Sequence, residues 1–179
     1  MTIWLLTSNL FADEMGIPGL PTSLQGKMNP EERKVSLLLV DDDAVFLAQT
    51  AAFLSGEFEI AGTAGNGRDA IEAVARQGPD LVILDVVMPV LDGLQTARRL
   101  RAAGSNVPII FLSGMQDPAY VKAAIETGGK GYVFKSRLGT DLVLAIRQVV
   151  RGKTFVPDLT GLRRRERFPS MYFQEWKVS

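Results

Sequence analysis

Leu37-Leu38-Leu39-Val40-Asp41-Asp42-Asp43 is the stretch that decides the fold. Four consecutive apolar residues are too few for a helix and lack the alternation of a half-exposed strand. They predict a short strand buried on both faces, ending in an acidic loop. Reading forward, residues 44–55 place Val45, Phe46, Ala48, Ala52 and Phe53 at helical spacing and close at Gly56. The same unit then repeats. Residues 58–64 predict a strand and 68–77 a helix stopped at Gly78-Pro79. Leu81–Leu84 is a second buried run ending in Asp85, followed by a helix over 92–103. Residues 107–112 lead into Ser113-Gly114 and a helix over 118–127, and Gly131–Phe134 ends at Lys135 before a helix over 140–151. Strands apolar on both faces, alternating with helices, make an α/β fold: a doubly wound parallel sheet spanning residues 34–154.

Composition narrows the chemistry. The 179 residues carry 20 Lys+Arg against 20 Asp+Glu, and neither Cys nor His. Disulfides, thiolate zinc sites, iron–sulfur clusters, Ser-His-Asp triads and an internal phosphohistidine relay are therefore excluded. Any metal must be held by oxygen, which points to Mg²⁺, Ca²⁺ or Mn²⁺. Residues 1–33, with Gly16, Pro18, Gly19, Pro21, Gly26 and Pro30, predict a loosely structured extension, and Met28 is a second plausible start. Residues 155–179 predict a short basic tail with Arg163, Arg164, Arg165 and Arg167 around Glu166. The apolar opening Ile3-Trp4-Leu5-Leu6 breaks at Thr7 and has no basic residue before it, unlike a signal peptide. No run approaches the ~20 apolar residues of a membrane span, so a cytoplasmic protein is expected.

Ligands of doubly wound sheets bind at the carboxyl ends of the strands. Those ends carry Asp41, Asp42 and Asp43, then Asp85, Ser113 and Lys135. Each alone has an ordinary explanation as a helix cap, a turn former or a solvated cation. Together on one rim they predict a phosphoryl-handling site. The carboxylates would hold Mg²⁺, Lys135 would neutralise phosphoryl oxygens and Ser113 would donate a hydrogen bond. A carboxylate nucleophile would form an aspartyl phosphate.

Val40-Asp41-Asp42-Asp43, Leu84-Asp85-Val86-Val87-Met88-Pro89 with Asp92-Gly93, Leu112-Ser113-Gly114 and Gly131-Tyr132-Val133-Phe134-Lys135 resemble the receiver domain of two-component response regulators. Among receivers, Gly62, Asn66-Gly67 and Ala70 make the NarL/FixJ type the nearest likeness. The resemblance implies a flavodoxin-like five-stranded sheet of order 2-1-3-4-5 with helices on both faces. It implies Asp85 as phosphoacceptor, Asp42 as direct Mg²⁺ ligand, Asp41 as an acid acting through water, and the Val87 backbone carbonyl as third protein ligand. Ser113 would be the switch hydroxyl, Tyr132 the switch aromatic and Lys135 the family's lysine. A sensor histidine kinase would supply the phosphoryl group. Phosphorylation would draw Ser113 inward and let Tyr132 turn from an exposed rotamer. Homodimerisation or partner docking would use the face of the fourth helix, fifth strand and fifth helix.

The resemblance also implies departures. NarL/FixJ proteins continue into a helix-turn-helix domain, of which Leu159-Thr160 and Arg165-Glu166-Arg167 are a faint echo, so sequence-specific nucleic-acid binding is not expected of this chain. Ser136 stands where many receivers have Pro, which disfavours a cis bond there. Two enzyme readings stay open at this level. Asp41-x-Asp43-x-Val45 also fits the opening of haloacid-dehalogenase phosphatases, with Asp41 as nucleophile and Asp43 as acid/base, although no acidic pair follows Lys135. Gly65-x-Gly67-x-x-Ala70 resembles a dinucleotide-binding turn, although too few strands follow it for that fold and a turn-forming glycine pair is the better explanation.

Overall fold

The computed structural model describes residues 33–159. Most of the expected N-terminal extension and C-terminal tail, residues 1–32 and 160–179, lie outside the described residues. The element order is β1 (Ser36–Val40), α1 (Ala44–Leu54), β2 (Glu59–Ala64), α2 (Gly67–Gln77), β3 (Leu81–Leu84), α3 (Gly93–Ala102), β4 (Ile109–Ser113), α4 (Pro118–Glu126), β5 (Gly131–Phe134) and α5 (Leu138–Val149), with a 3-10 turn at Lys135–Arg137. The five strands form one parallel sheet of order 2-1-3-4-5, as expected. The boundaries differ in places for local reasons. Pro108 has no N–H to give a ladder, so β4 begins after it, while its carbonyl accepts from Val82 N–H at 2.9 Å. Phe58 drops out of β2 because its N–H returns to the Leu54 carbonyl at the end of α1, and its ring is buried in the core.

Strand alternation divides the core. Leu37, Leu39, Leu81, Ile83, Ile110, Leu112 and Val133 face α1 and α5, where Leu54, Leu142, Ala145, Ile146 and Val149 cover them. Leu38, Val40, Val82, Leu84, Ile109, Phe111, Tyr132 and Phe134 face α2, α3 and α4. Burial on both faces is what the continuous apolar runs encode. Four helices start at an Asx cap: Asp43, Asn66, Asp92 and Asp117 each accept a backbone N–H of the first turn. Asp43, Asn66 and Asp117 sit just beyond strand ends, so those loops are short and anchored, whereas Asp92 closes the longer loop after β3.

The Gly65–Ala70 motif is packing, not a nucleotide turn. A Cβ on Gly67 would collide with Thr96 Oγ1 and come within 2.7 Å of the Leu91 carbonyl oxygen, so glycine lets α2 meet α3.

After α5 the chain returns to the open edge of β5. Phe155 N–H donates to the Lys130 carbonyl at 2.9 Å, and Tyr132 N–H donates to the Phe155 carbonyl at 3.0 Å. Phe155 packs on the α1/α5 side of the sheet and Leu159 on the opposite side, so residues 153–159 wrap the edge. Pro157, without an N–H, stops the pairing after a single bridge.

Candidate functional site

The rim is built by adjacent central strands. Asp41 N–H bonds the Ala64 carbonyl at 3.1 Å and Asp85 N–H bonds the Val40 carbonyl at 2.9 Å. The ladder therefore continues one residue past β1 and β3, and both side chains emerge at one level. Both are buried, whereas Asp42 is exposed. Lys135, at the end of β5, reaches across with Nζ 2.6 Å from Asp41 Oδ2 and 2.7 Å from Asp85 Oδ2. Carboxylate oxygens of Asp41, Asp42 and Asp85 all lie within 4.8 Å of one another. The expected acids and the lysine are thus brought together.

Charge explains the pairing. Desolvation raises the Asp85 pKa, the Lys135 hydrogen bond and charge oppose this, and the Asp41 charge adds to it. For Lys135 burial disfavours the ammonium, but hydrogen bonds to Asp41 and Asp85, and their charges, outweigh it and raise its pKa. Lys135 stays cationic between two acids.

Ser113 and Tyr132 converge on one residue, Met115. Met115 N–H donates to Ser113 Oγ at 3.2 Å, and Tyr132 Oη donates to the Met115 carbonyl at 2.8 Å. The loop after β4 is thereby held from both sides. Tyr132 is 0% exposed, which corrects the expected exposed starting rotamer. Ring burial against Phe134, at 5.6 Å between centroids, and the Met115 acceptor favour the inward position.

The loop after β3 is tight. Val87 N–H donates to Asp85 Oδ1 at 3.3 Å, and Gly93 N–H donates to the Val86 carbonyl at 2.9 Å. A Cβ on Gly93 would collide with the Asp85 carbonyl, so α3 approaches the acid's backbone only through a glycine. Val90 adopts φ 69°, a left-handed conformation that a β-branched residue rarely takes.

Comparison with known proteins adds the decisive observation. The description "Response regulator receiver domain" matches residues 37–147. The chain belongs to the response regulator receiver family. It is 33% identical over 138 residues to the uncharacterized transcriptional regulatory protein YvfU of Bacillus subtilis, covering 75% of this chain and 69% of that one. It is 32% identical over 136 residues to the "Probable transcriptional regulatory protein NarL" of Mycobacterium tuberculosis, covering 74% of this chain and 63% of that one. The solved signal receiver domain of NarL from Mycobacterium tuberculosis superposes with a TM-score of 0.63 at 29% identity, over 68% of this chain and 99% of that chain. The likeness is to a NarL/FixJ-type receiver, and this chain spans about two thirds of the length of those curated relatives.

The receiver's acid cluster fits a hard divalent cation. Three carboxylates face one ammonium, leaving negative charge that oxygen-ligated Mg²⁺ would balance. Asp43 is not part of that cluster. Its carboxylate accepts from Val45 N–H at 2.9 Å and Phe46 N–H at 3.0 Å, so capping α1 accounts for this acid without the phosphatase reading. Sequence reasoning did not single out three features of the site. Met115 joins Ser113 to Tyr132, Gln116 Nε2 donates to Ser136 Oγ at 3.0 Å across the rim, and the Phe46 ring lies 4.5 Å from Lys135 Nζ. Met115 and Phe46 resemble any apolar loop or helix residue in sequence, and only the strand order brings them to the rim.

Proposed function

We propose that this receiver takes a phosphoryl group from a sensor histidine kinase onto Asp85. The observation that carries the reading is the pair of buried carboxylates, Asp41 and Asp85, bridged by Lys135 within 2.7 Å at the ends of adjacent strands. An Asp85 carboxylate oxygen forms the new bond to phosphorus as the kinase's P–N bond breaks, and the proton remains with the departing imidazole. Mg²⁺, held by Asp41, Asp42, Asp85 and the Val87 carbonyl, would neutralise phosphoryl oxygens. Lys135 contributes a further positive charge. Ser113 donates to a phosphoryl oxygen in exchange for its Met115 contact, and the buried Tyr132 follows the loop. The protein is a signalling module, not a turnover enzyme, and works in the cytoplasm.

In this reading residues 34–154 are the receiver, with residues 155–159 strapped to it. Self-association or partner docking uses α4, β5 and α5, part of whose margin the strap occupies. A second reading, an output that binds DNA, is favoured by the names of the relatives, which are transcriptional regulatory proteins. Contact of this chain with duplex DNA is expected to be weak and to fade with salt. A footprint on a defined operator would decide for the second reading.

Incubation with a small phosphodonor and Mg²⁺ tests the proposal. Wild type becomes phosphorylated, Asp85→Asn does not, and Asp42→Ala is slowed with weakened Mg²⁺ binding. Undiminished phosphate in Asp85→Asn would refute it.

A further inference from the structure

We propose that Phe46 is a positioning residue for phosphoryl transfer, its ring serving as an uncharged seat that keeps the Lys135 ammonium at the rim. The inference rests on the reading of Asp85 as acceptor and deepens it. Lys135 carries three N–H donors on a flexible four-carbon stem. Nζ contacts Asp41 at 2.6 Å and Asp85 at 2.7 Å, and it lies 4.5 Å from the centre of the Phe46 ring, well within cation–π range.

The three partners differ in what the reaction does to them. Asp41 and Asp85 belong to the acid cluster, so a divalent cation competes with Lys135 for the same oxygens. Phosphorylation then converts the Asp85 carboxylate into an acyl phosphate. Of the three, Phe46 alone is neither claimed by the cation nor consumed by the reaction. It is also fixed in place. Its backbone N–H is tied to Asp43 Oδ1 at 3.0 Å in the first turn of α1, and its side chain packs against the core formed by Leu39, Ile83 and Leu112. A leucine would fill much of that space but would present no negative ring face to the ammonium.

The test uses the full chain, acetyl phosphate and saturating Mg²⁺, with the initial rate of Asp85 modification read by intact mass. Phe46→Leu should slow modification roughly threefold to tenfold, the range expected for one partly exposed cation–π contact. Mg²⁺ affinity and the cooperative melt should stay near wild type, and Phe46→Tyr, which keeps the π face, should restore the rate. In a Lys135→Met background, Phe46→Leu should slow the reaction no further, because the ring acts through the ammonium. Four results would overturn the proposal: a wild-type rate in Phe46→Leu, a Tyr variant as slow as the Leu variant, an equal slowing in the Lys135→Met background, or a parallel fall in Mg²⁺ affinity. A wild-type chain that takes no phosphate removable by Asp85→Asn would instead refute the acceptor reading, and this inference with it. Labelled wild type with an unaffected Phe46→Leu refutes this inference alone.

Discussion

At the scale of single residues, Asp85 is a balance between burial and a neighbouring cation. Burial is the largest influence on its carboxyl and raises its pKa above the ordinary 3.8, against the pull of Lys135. A folded-state pKa above the unfolded one means that the native state binds protons more readily. Its contribution to stability is then full below 3.8 and is lost as pH rises through the folded value. Asp85→Asn should therefore melt above wild type at pH 7, with the gap closing as pH falls toward 3.8. A constant gap across that range would show that desolvation is not the cause. Mg²⁺ should raise the melting temperature of wild type by mass action and do so far less in Asp42→Ala. Val90 is strained independently of charge. It holds φ 69° although the residue is 83% exposed. A left-handed conformation costs a branched residue about 1–2 kcal/mol, so Val90→Gly should stabilise by about 0.5–1 kcal/mol after glycine's greater unfolded-state freedom is counted. Urea melts would show this as a raised midpoint at constant slope. Asp41, Asp42, Asp85 and Lys135 were legible in the sequence because chemistry concentrates at strand ends. The strain at Val90 was not, since nothing in the pattern Met88-Pro89-Val90 announces a left-handed residue.

Among elements, the informative unit is the loop between β4 and α4 with the strand beside it. Ser113 and Tyr132 hold the two peptide groups that flank the Met115 Cα, so one cannot move without disturbing the other's partner. Ser113→Ala should leave Asp85 modifiable yet uncouple modification from protection of the Met115 and Tyr132 amides in hydrogen exchange. Unchanged coupling would reduce Ser113 to a turn residue. The backbone of Tyr132 is also where residues 153–159 attach. Truncating Phe155 to Ala should cost about 2–3 kcal/mol, the usual loss for a packed aromatic that is not fully buried, and should speed exchange at the Tyr132 amide. Sequence reading ended the domain at residue 154 because a single strand-like residue before Pro157 has no period to detect. The buried strands themselves, by contrast, follow from apolar runs too short for helices and too continuous for a half-exposed sheet, while their order was what the receiver resemblance implied. The first four helix starts were readable to within a residue or so, since Asp43, Asn66, Asp92 and Asp117 each stand just before a helix, whereas α5, which has no side-chain cap, begins at Leu138 and not at 140.

For the whole molecule, the parallel sheet converts distance in sequence into proximity. Asp41 and Lys135 lie at the ends of strands one and five, and the order 2-1-3-4-5 brings their charged atoms to 2.6 Å. That convergence was legible once the strands were placed. The rotamer of Tyr132 was not, because the choice between inward and outward positions depends on an acceptor, the Met115 carbonyl, supplied by another loop. Among the described residues no helix is long and apolar enough to cross a membrane. The central claim is that one carboxylate, Asp85, forms an acyl phosphate, and borohydride trapping tests it most directly. The reagent reduces an aspartyl phosphate to homoserine, and peptide mass mapping of the phosphodonor-treated chain then locates it. The account predicts homoserine at position 85 alone, dependent on Mg²⁺. Homoserine at position 41 or 42 in place of 85, or none in a chain shown to carry phosphate, would contradict it.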